Sequence, residues 1–276
     1  MPYKTILVHV DSGKRAATRV DIACRLAKLS DAHLIGLHAL TVVPMPGYAT
    51  LEGGAQIREY HDRMAREAAA RAAEIFQKGV AAHGVAKTEW RVSTGDAARV
   101  VPLHGRYADV IVLGQPSEDD GSGVEPDFPE RVLLEAGRPV LLIPYAGEFP
   151  SVGRKVLVAW NAGREATRAL TDAIPILREA AEVHVIAFNP KGAPHGEVPG
   201  ADIGLYLARH GIKVNVSQQT ADDVDVGNQL LSRAADLDID LIVMGAYGRS
   251  RVSELILGGV TRTILKSMTV PVLMSH

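Results

Sequence analysis

Ile6-Leu-Val-His-Val-Asp-Ser-Gly13 aligns without a gap on Val156-Leu-Val-Ala-Trp-Asn-Ala-Gly163, 150 positions later. Each stretch opens as a short β-branched run suited to a strand buried on both faces. Two further pairs follow in the same order. Ala108-Asp-Val-Ile-Val-Leu-Gly114 matches Ile239-Asp-Leu-Ile-Val-Met-Gly245 at an offset of 131, and Arg138-Pro-Val-Leu-Leu-Ile143 matches Val270-Pro-Val-Leu-Met-Ser275 at 132. The chain therefore contains one fold twice. The second copy is shorter by about 19 residues between its first and fourth strands. The seam falls near Tyr145-Ala-Gly-Glu-Phe-Pro150, where Gly and Pro punctuate two apolar runs, giving domains at 1–147 and 151–276.

The spacing of apolar residues predicts alternating strands and helices in each copy. In the first, strands are expected at 5–10, 34–39, 89–92, 110–113 and 140–143, with helices over 16–29, 56–80 and 97–105. The 56–80 helix carries Ile57, Met64, Ala68, Ala72 and Ile75 on one stripe. In the second, strands are expected at 156–160, 183–188, 214–216, 241–244 and 272–274, with helices over 165–180, 203–210, 226–235 and 260–266. Pro175 sits inside the 165–180 helix and is expected to bend it. Such alternation implies two tandem doubly wound α/β domains, each a parallel sheet flanked by helices. Ligands of such sheets bind at the carboxyl ends of strands, where the strand order reverses.

Composition narrows the classes of function. The 276 residues carry 30 Lys and Arg against 32 Asp and Glu, too balanced for a binder that works by displacing phosphate counterions from nucleic acid. The single cysteine, Cys24, excludes an intrachain disulfide framework and reads as a small buried residue. No run reaches the length of a membrane span, and no secretory segment precedes Thr5, so a cytoplasmic chain is expected. The histidines fit no metal-binding spacing. No P-loop, GxGxxG after the first strand, GxSxG elbow or HExxH occurs. An efficient catalyst is not expected.

The glycines remain. After Met244 the chain reads Gly245-Ala-Tyr-Gly248, then nine residues 249–257, then Gly258-Gly259-Val260-Thr261. Glycines at a strand exit allow a tight turn and a close backbone approach to a ligand. A glycine pair opening a helix exposes N–H groups at its positive end, where a phosphate is favoured. Arg249 and Arg251 would add cationic donors.

With these strands and this motif, the sequence resembles a tandem universal stress protein. The likeness covers the whole chain. It implies five parallel strands per domain in the order 3-2-1-4-5, and pairing of domains through the fifth strand, here as an intramolecular pseudo-dimer or a homodimer. One branch of the family binds ATP through Gly-x2-Gly-x9-Gly-(Ser/Thr), with an Asp at the end of the first strand. Carried onto this sequence, that implies a site for ATP or a related adenine nucleotide at Asn161, Met244, Gly245, Gly248, Arg249, Gly258, Gly259 and Val260. The sequence departs from the pattern at Gly259, where the hydroxyl is missing, and at Asn161, where the carboxylate is. Trp160 is bulky beside the expected nucleotide.

The first copy keeps Asp11 but has Gln115-Pro-Ser-Glu-Asp-Asp-Gly-Ser-Gly123 after Gly114, with no GxxG and three acids. It is not expected to bind ATP. Two functions stay open at this point: a regulatory nucleotide-binding stress protein, and a non-nucleotide protein acting through an unidentified protein partner. Asp11 and Asn161 also have a plainer reading as helix caps, and the second-copy glycines as a tight turn.

Overall fold

Residues that alternate between buried strands and one-sided helices in sequence do so in the computed structural model, which describes residues 2–41, 54–117, 124–188, 201–219, 226–248 and 259–276. The chain divides into two units, Tyr3–Ala136 and Gly137–His276.

The first unit holds β1 (Thr5–His9), α1 (Ala16–Ser30), β2 (His33–Leu40), α2 (Gly54–His83), β3 (Thr88–Thr94), α3 (Ala97–Gly105), β4 (Val110–Gly114) and α4 (Phe128–Glu135). Its strands lie in the order β3-β2-β1-β4, all parallel, with Ile6 opposite Leu34 on one side and Val110 on the other. From Ile6 to His9 every β1 residue is buried, as a central parallel strand requires. α1 buries Ala16, Val20, Ala23 and Ala27, and Cys24 joins them. Burial together with Asp21 pushes the Cys24 thiol up to about 12, so it stays protonated. Gly36 leaves room on β2 for Phe76 of α2 and Trp90 of β3; a Cβ there would lie 2.6 Å from the Phe76 ring.

Two expectations change here. α2 is helical as predicted, but Ile57 and Met64 are exposed, and burial begins only near Ala72 and Phe76. A 30-residue helix is about 45 Å long, whereas the eight residues of β2 reach about 26 Å, so the sheet is too short to cover it. α4 was not foreseen. It starts with Pro129 in its first turn and buries Phe128, Val132 and Leu133.

The second unit holds β5 (Val140–Ile143), β6 (Lys155–Trp160), α5 (Arg164–Leu177), β7 (Glu182–Phe188), α6 (Ala201–Arg209), β8 (Asn215–Gln219), α7 (Val226–Asp236), β9 (Leu241–Gly245), α8 (Val260–Ser267) and β10 (Val272–Ser275). The order β8-β7-β6-β9-β10 is parallel throughout and is the 3-2-1-4-5 arrangement. β5 adds to β10 antiparallel, Leu141 opposite Leu273, so this unit's sheet is mixed.

The repeated aspartates are structural. Asp109 accepts the backbone N–H groups of Lys4 and Thr5 at 2.6 and 2.9 Å, and Asp240 accepts those of Gly153, Arg154 and Lys155 at 3.0–3.2 Å. In each copy this acid ties the start of the fourth strand to the start of the first. Among the described residues no helix is long and apolar enough to cross a membrane.

Candidate functional site

β6 pairs with β7 on one side and β9 on the other, so the order of the second copy reverses between β6 and β9, and the crevice beyond their carboxyl ends is where this fold takes ligands. Two loops meet there. Leaving β6, Asn161 accepts the Gly163 N–H on Oδ1 at 2.9 Å, and Ala162 is left-handed at φ 56°. Gly163 then stands at the start of α5 without a side-chain cap. Asn161 therefore shapes the turn before the helix and does not cap it.

Leaving β9, Gly245 packs on the beginning of α5, where a Cβ would lie 2.5 Å from the Ala166 nitrogen. Only glycine fits. Ala246 donates to Ser275 O at 2.9 Å, and its own carbonyl lies 3.0 Å from His276 Nδ1. Tyr247 is left-handed at φ 55°, and its N–H donates to Thr261 Oγ1 at 3.1 Å. Thr261 is buried. Its hydroxyl, two residues beyond the position where a Ser or Thr was missed, is thus a strut for the loop. Gly248 is exposed, and the Glu165 carboxylate is its neighbour, with Oε2 3.1 Å from where a Cβ would be.

Of the predicted residues, Asn161, Gly245 and Gly248 lie on these two loops. Met244 is buried in β9, so only its backbone is offered toward the crevice. Gly259 and Val260 open α8, whose first turn supplies N–H groups with no partner inside the helix. Arg249 and Gly258 lie outside the described residues, as do Arg251 and the acidic stretch 118–120. Trp160 is half-buried at the end of β6.

The same place in the first copy is built differently. Asp11 is 4% exposed and Arg19 2%. Arg19 Nη2 lies 2.5 Å from Asp11 Oδ2, Arg19 Nε donates to His9 O at 3.4 Å, and Asp11 Oδ1 accepts the Gly13 N–H at 2.8 Å. The N-cap of α1 is Arg15, so Asp11 is not the helix cap either. A Cβ on Gly114 would collide with Arg19 Nη1. The guanidinium thus fills the exit of β4, beside β1.

Burial drives the His9 imidazole down to about 4 against the pull of Asp11, with Arg19 and His38 adding to the fall. Burial raises the Asp11 carboxyl, but Arg19, His9 and the Gly13 N–H outweigh it and hold it below the usual range. His38 Nδ1 lies 2.8 Å from Val10 O.

Arg19 and Glu165 escaped the sequence reading. Arg19 left one trace: it falls among Ala16, Val20 and Ala23 on the apolar stripe of α1, where a charge needs a buried partner. Glu165 left none, since an acid in a first helical turn is ordinary. Among the described residues no group of three or more His, Cys, Asp or Glu is placed to hold a metal ion.

A family model described as "Universal stress protein family" matches residues 2–144 and 153–276. A universal stress protein of Synechocystis is 26% identical over 171 residues, 60% of this chain and 57% of that protein, so the match spans little more than half of the relative. Among solved structures, a universal stress protein of Archaeoglobus fulgidus is similar over 98% of this chain and 95% of its own, at a TM-score of 0.73 and 18% identity. A functionally unknown protein of Pseudomonas aeruginosa is similar over 99% and 92%, at 0.58 and 18%. These likenesses show the fold.

Proposed function

The chain belongs to the universal stress protein family, and from that premise we propose that its second copy binds ATP or a related adenine nucleotide in a regulatory role. The observation that carries this reading is the pair of left-handed residues Ala162 and Tyr247, at the ends of the adjacent strands β6 and β9. An alanine and a tyrosine in that conformation cost about 1–3 kcal/mol each and persist only where the surroundings hold them, and such outliers gather at ligand clamps. Here Thr261 and the Asn161 turn hold them.

In this reading the backbone of Gly245 and Gly248 and the first N–H groups of α8, from Gly259 and Val260, cradle the phosphates. Asn161 accepts from the sugar or base. Arg249 and Gly258 complete the set at the spacing found in the sequence. The nucleotide brings charge and shape that change the loops, and the chain brings binding groups. Purified protein, denatured and chromatographed, should release adenine nucleotide, and calorimetry should detect ATP binding that Gly248→Val abolishes. No retained nucleotide and no heat at millimolar AMP or ATP would overturn the reading.

The alternative, a protein that works through a protein partner without nucleotide, is favoured by the buried Asp11–Arg19 pair and by the neutral Asn161. Pull-down partners unaffected by ATP and by Gly248→Val would support it.

A further inference from the structure

Resting on the nucleotide reading above, we infer that Glu165 is a specificity-determining residue that opposes a polyphosphate at Gly248, so that the second copy ranks adenine nucleotides by charge, with AMP above ATP. Glu165 stands in the first turn of α5. Its side chain is 12% exposed, and the structure sets its Oε2 against the open side of Gly248.

A glycine there leaves the backbone bare, and that is the surface a phosphate would use. A phosphate oxygen reaching it arrives within a few ångströms of the carboxylate. Like charges at that range repel strongly where the surroundings are partly dry.

The ion-pair partner of Glu165 among the described residues is Arg164, 3.5 Å away from Nη2 to Oε1 and 95% exposed. A pair so exposed is screened and loosely held, so among the described residues no firmer ion pair offsets this carboxylate. A monophosphate brings one charged group into the crevice and a triphosphate three, so the repulsion from Glu165 grows with the length of the phosphate chain.

The test is calorimetry on the full chain with adenosine, AMP and ATP, each in EDTA, for the wild type and Glu165→Gln. Folding of the variant is checked by circular dichroism. The wild type should bind AMP at least tenfold more tightly than ATP. Glu165→Gln should bind ATP at least tenfold more tightly than the wild type does, with AMP changed less than threefold. A purely structural role would lower all affinities together and leave their ratio alone, so an ATP-to-AMP ratio within twofold of wild type in the variant overturns the inference. So does a wild type that prefers ATP. If neither protein binds any adenine nucleotide, the nucleotide reading falls and takes this one with it. If the wild type binds no adenine nucleotide and only the variant binds ATP, Glu165 is upheld as the barrier and the failure belongs to the nucleotide reading of the natural chain.

Discussion

Arg19 and Asp11 show how one residue pair separates two copies of the same fold. The charges are buried together, and removing one strands the other. Arg19→Met should therefore destabilise the first unit by about 3–5 kcal/mol in urea unfolding, whereas Arg19→Met with Asp11→Asn should recover much of the loss. Recovery measures how far the damage comes from the stranded carboxylate.

His9, in the same cluster, makes stability depend on pH. Its folded pKa, about 4, lies below the unfolded value near 6.5, so between these limits the unfolded chain binds more protons. Stability is full above pH 6.5 and declines as the pH falls from 6.5 toward 4. His104, also lowered by burial, adds in the same direction. Urea midpoints at pH 7.5, 5.5 and 4.5 should fall in that order, and His9→Gln should flatten the trend.

At the scale of elements, Ala246 and Tyr247, just beyond β9, are tied to β10 and α8. Thr261→Val leaves the Tyr247 N–H without its acceptor and should cost about 1–3 kcal/mol. It should also weaken any nucleotide affinity, by calorimetry, since the left-handed turn loses one of its struts.

Most elements were legible in the sequence, for a physical reason. Central parallel strands such as Ile6–His9 and Leu241–Met244 are buried on both faces and read as unbroken apolar runs. α4 was not, because eight residues behind Pro- and Gly-rich chain leave too little period to detect. The site was half legible. Gly245 declares itself because a backbone pressed by its surroundings excludes side chains. Glu165 and Arg19 do not, since what matters is their contact with glycines 83 and 95 residues away, and no local pattern records it.

For the molecule as a whole, the repeated fold carries two differently built strand exits: Arg19 fills that of β4, and Glu165 faces that of β9. ATP should slow hydrogen exchange around 161–166 and 245–248 while leaving 9–19 unchanged, which mass spectrometry of peptides can resolve. Equal protection of both regions would contradict the assignment of binding to the second copy.

The antiparallel seat of β5 on β10 bears on how the chain can be divided. Arg168 donates from Nη2 to Gly137 O and from Nη1 to His276 O, tying the approach to β5 to the end of β10. The second family match begins at residue 153, after β5. A chain cut there keeps all five strands of its fold yet uncovers the flank of β10, a bare row of N–H and C=O groups that invites another edge to pair. On size exclusion it should run as a dimer or larger. The strand that closes the first sequence repeat thus serves the second, covering a flank that would otherwise recruit a stranger.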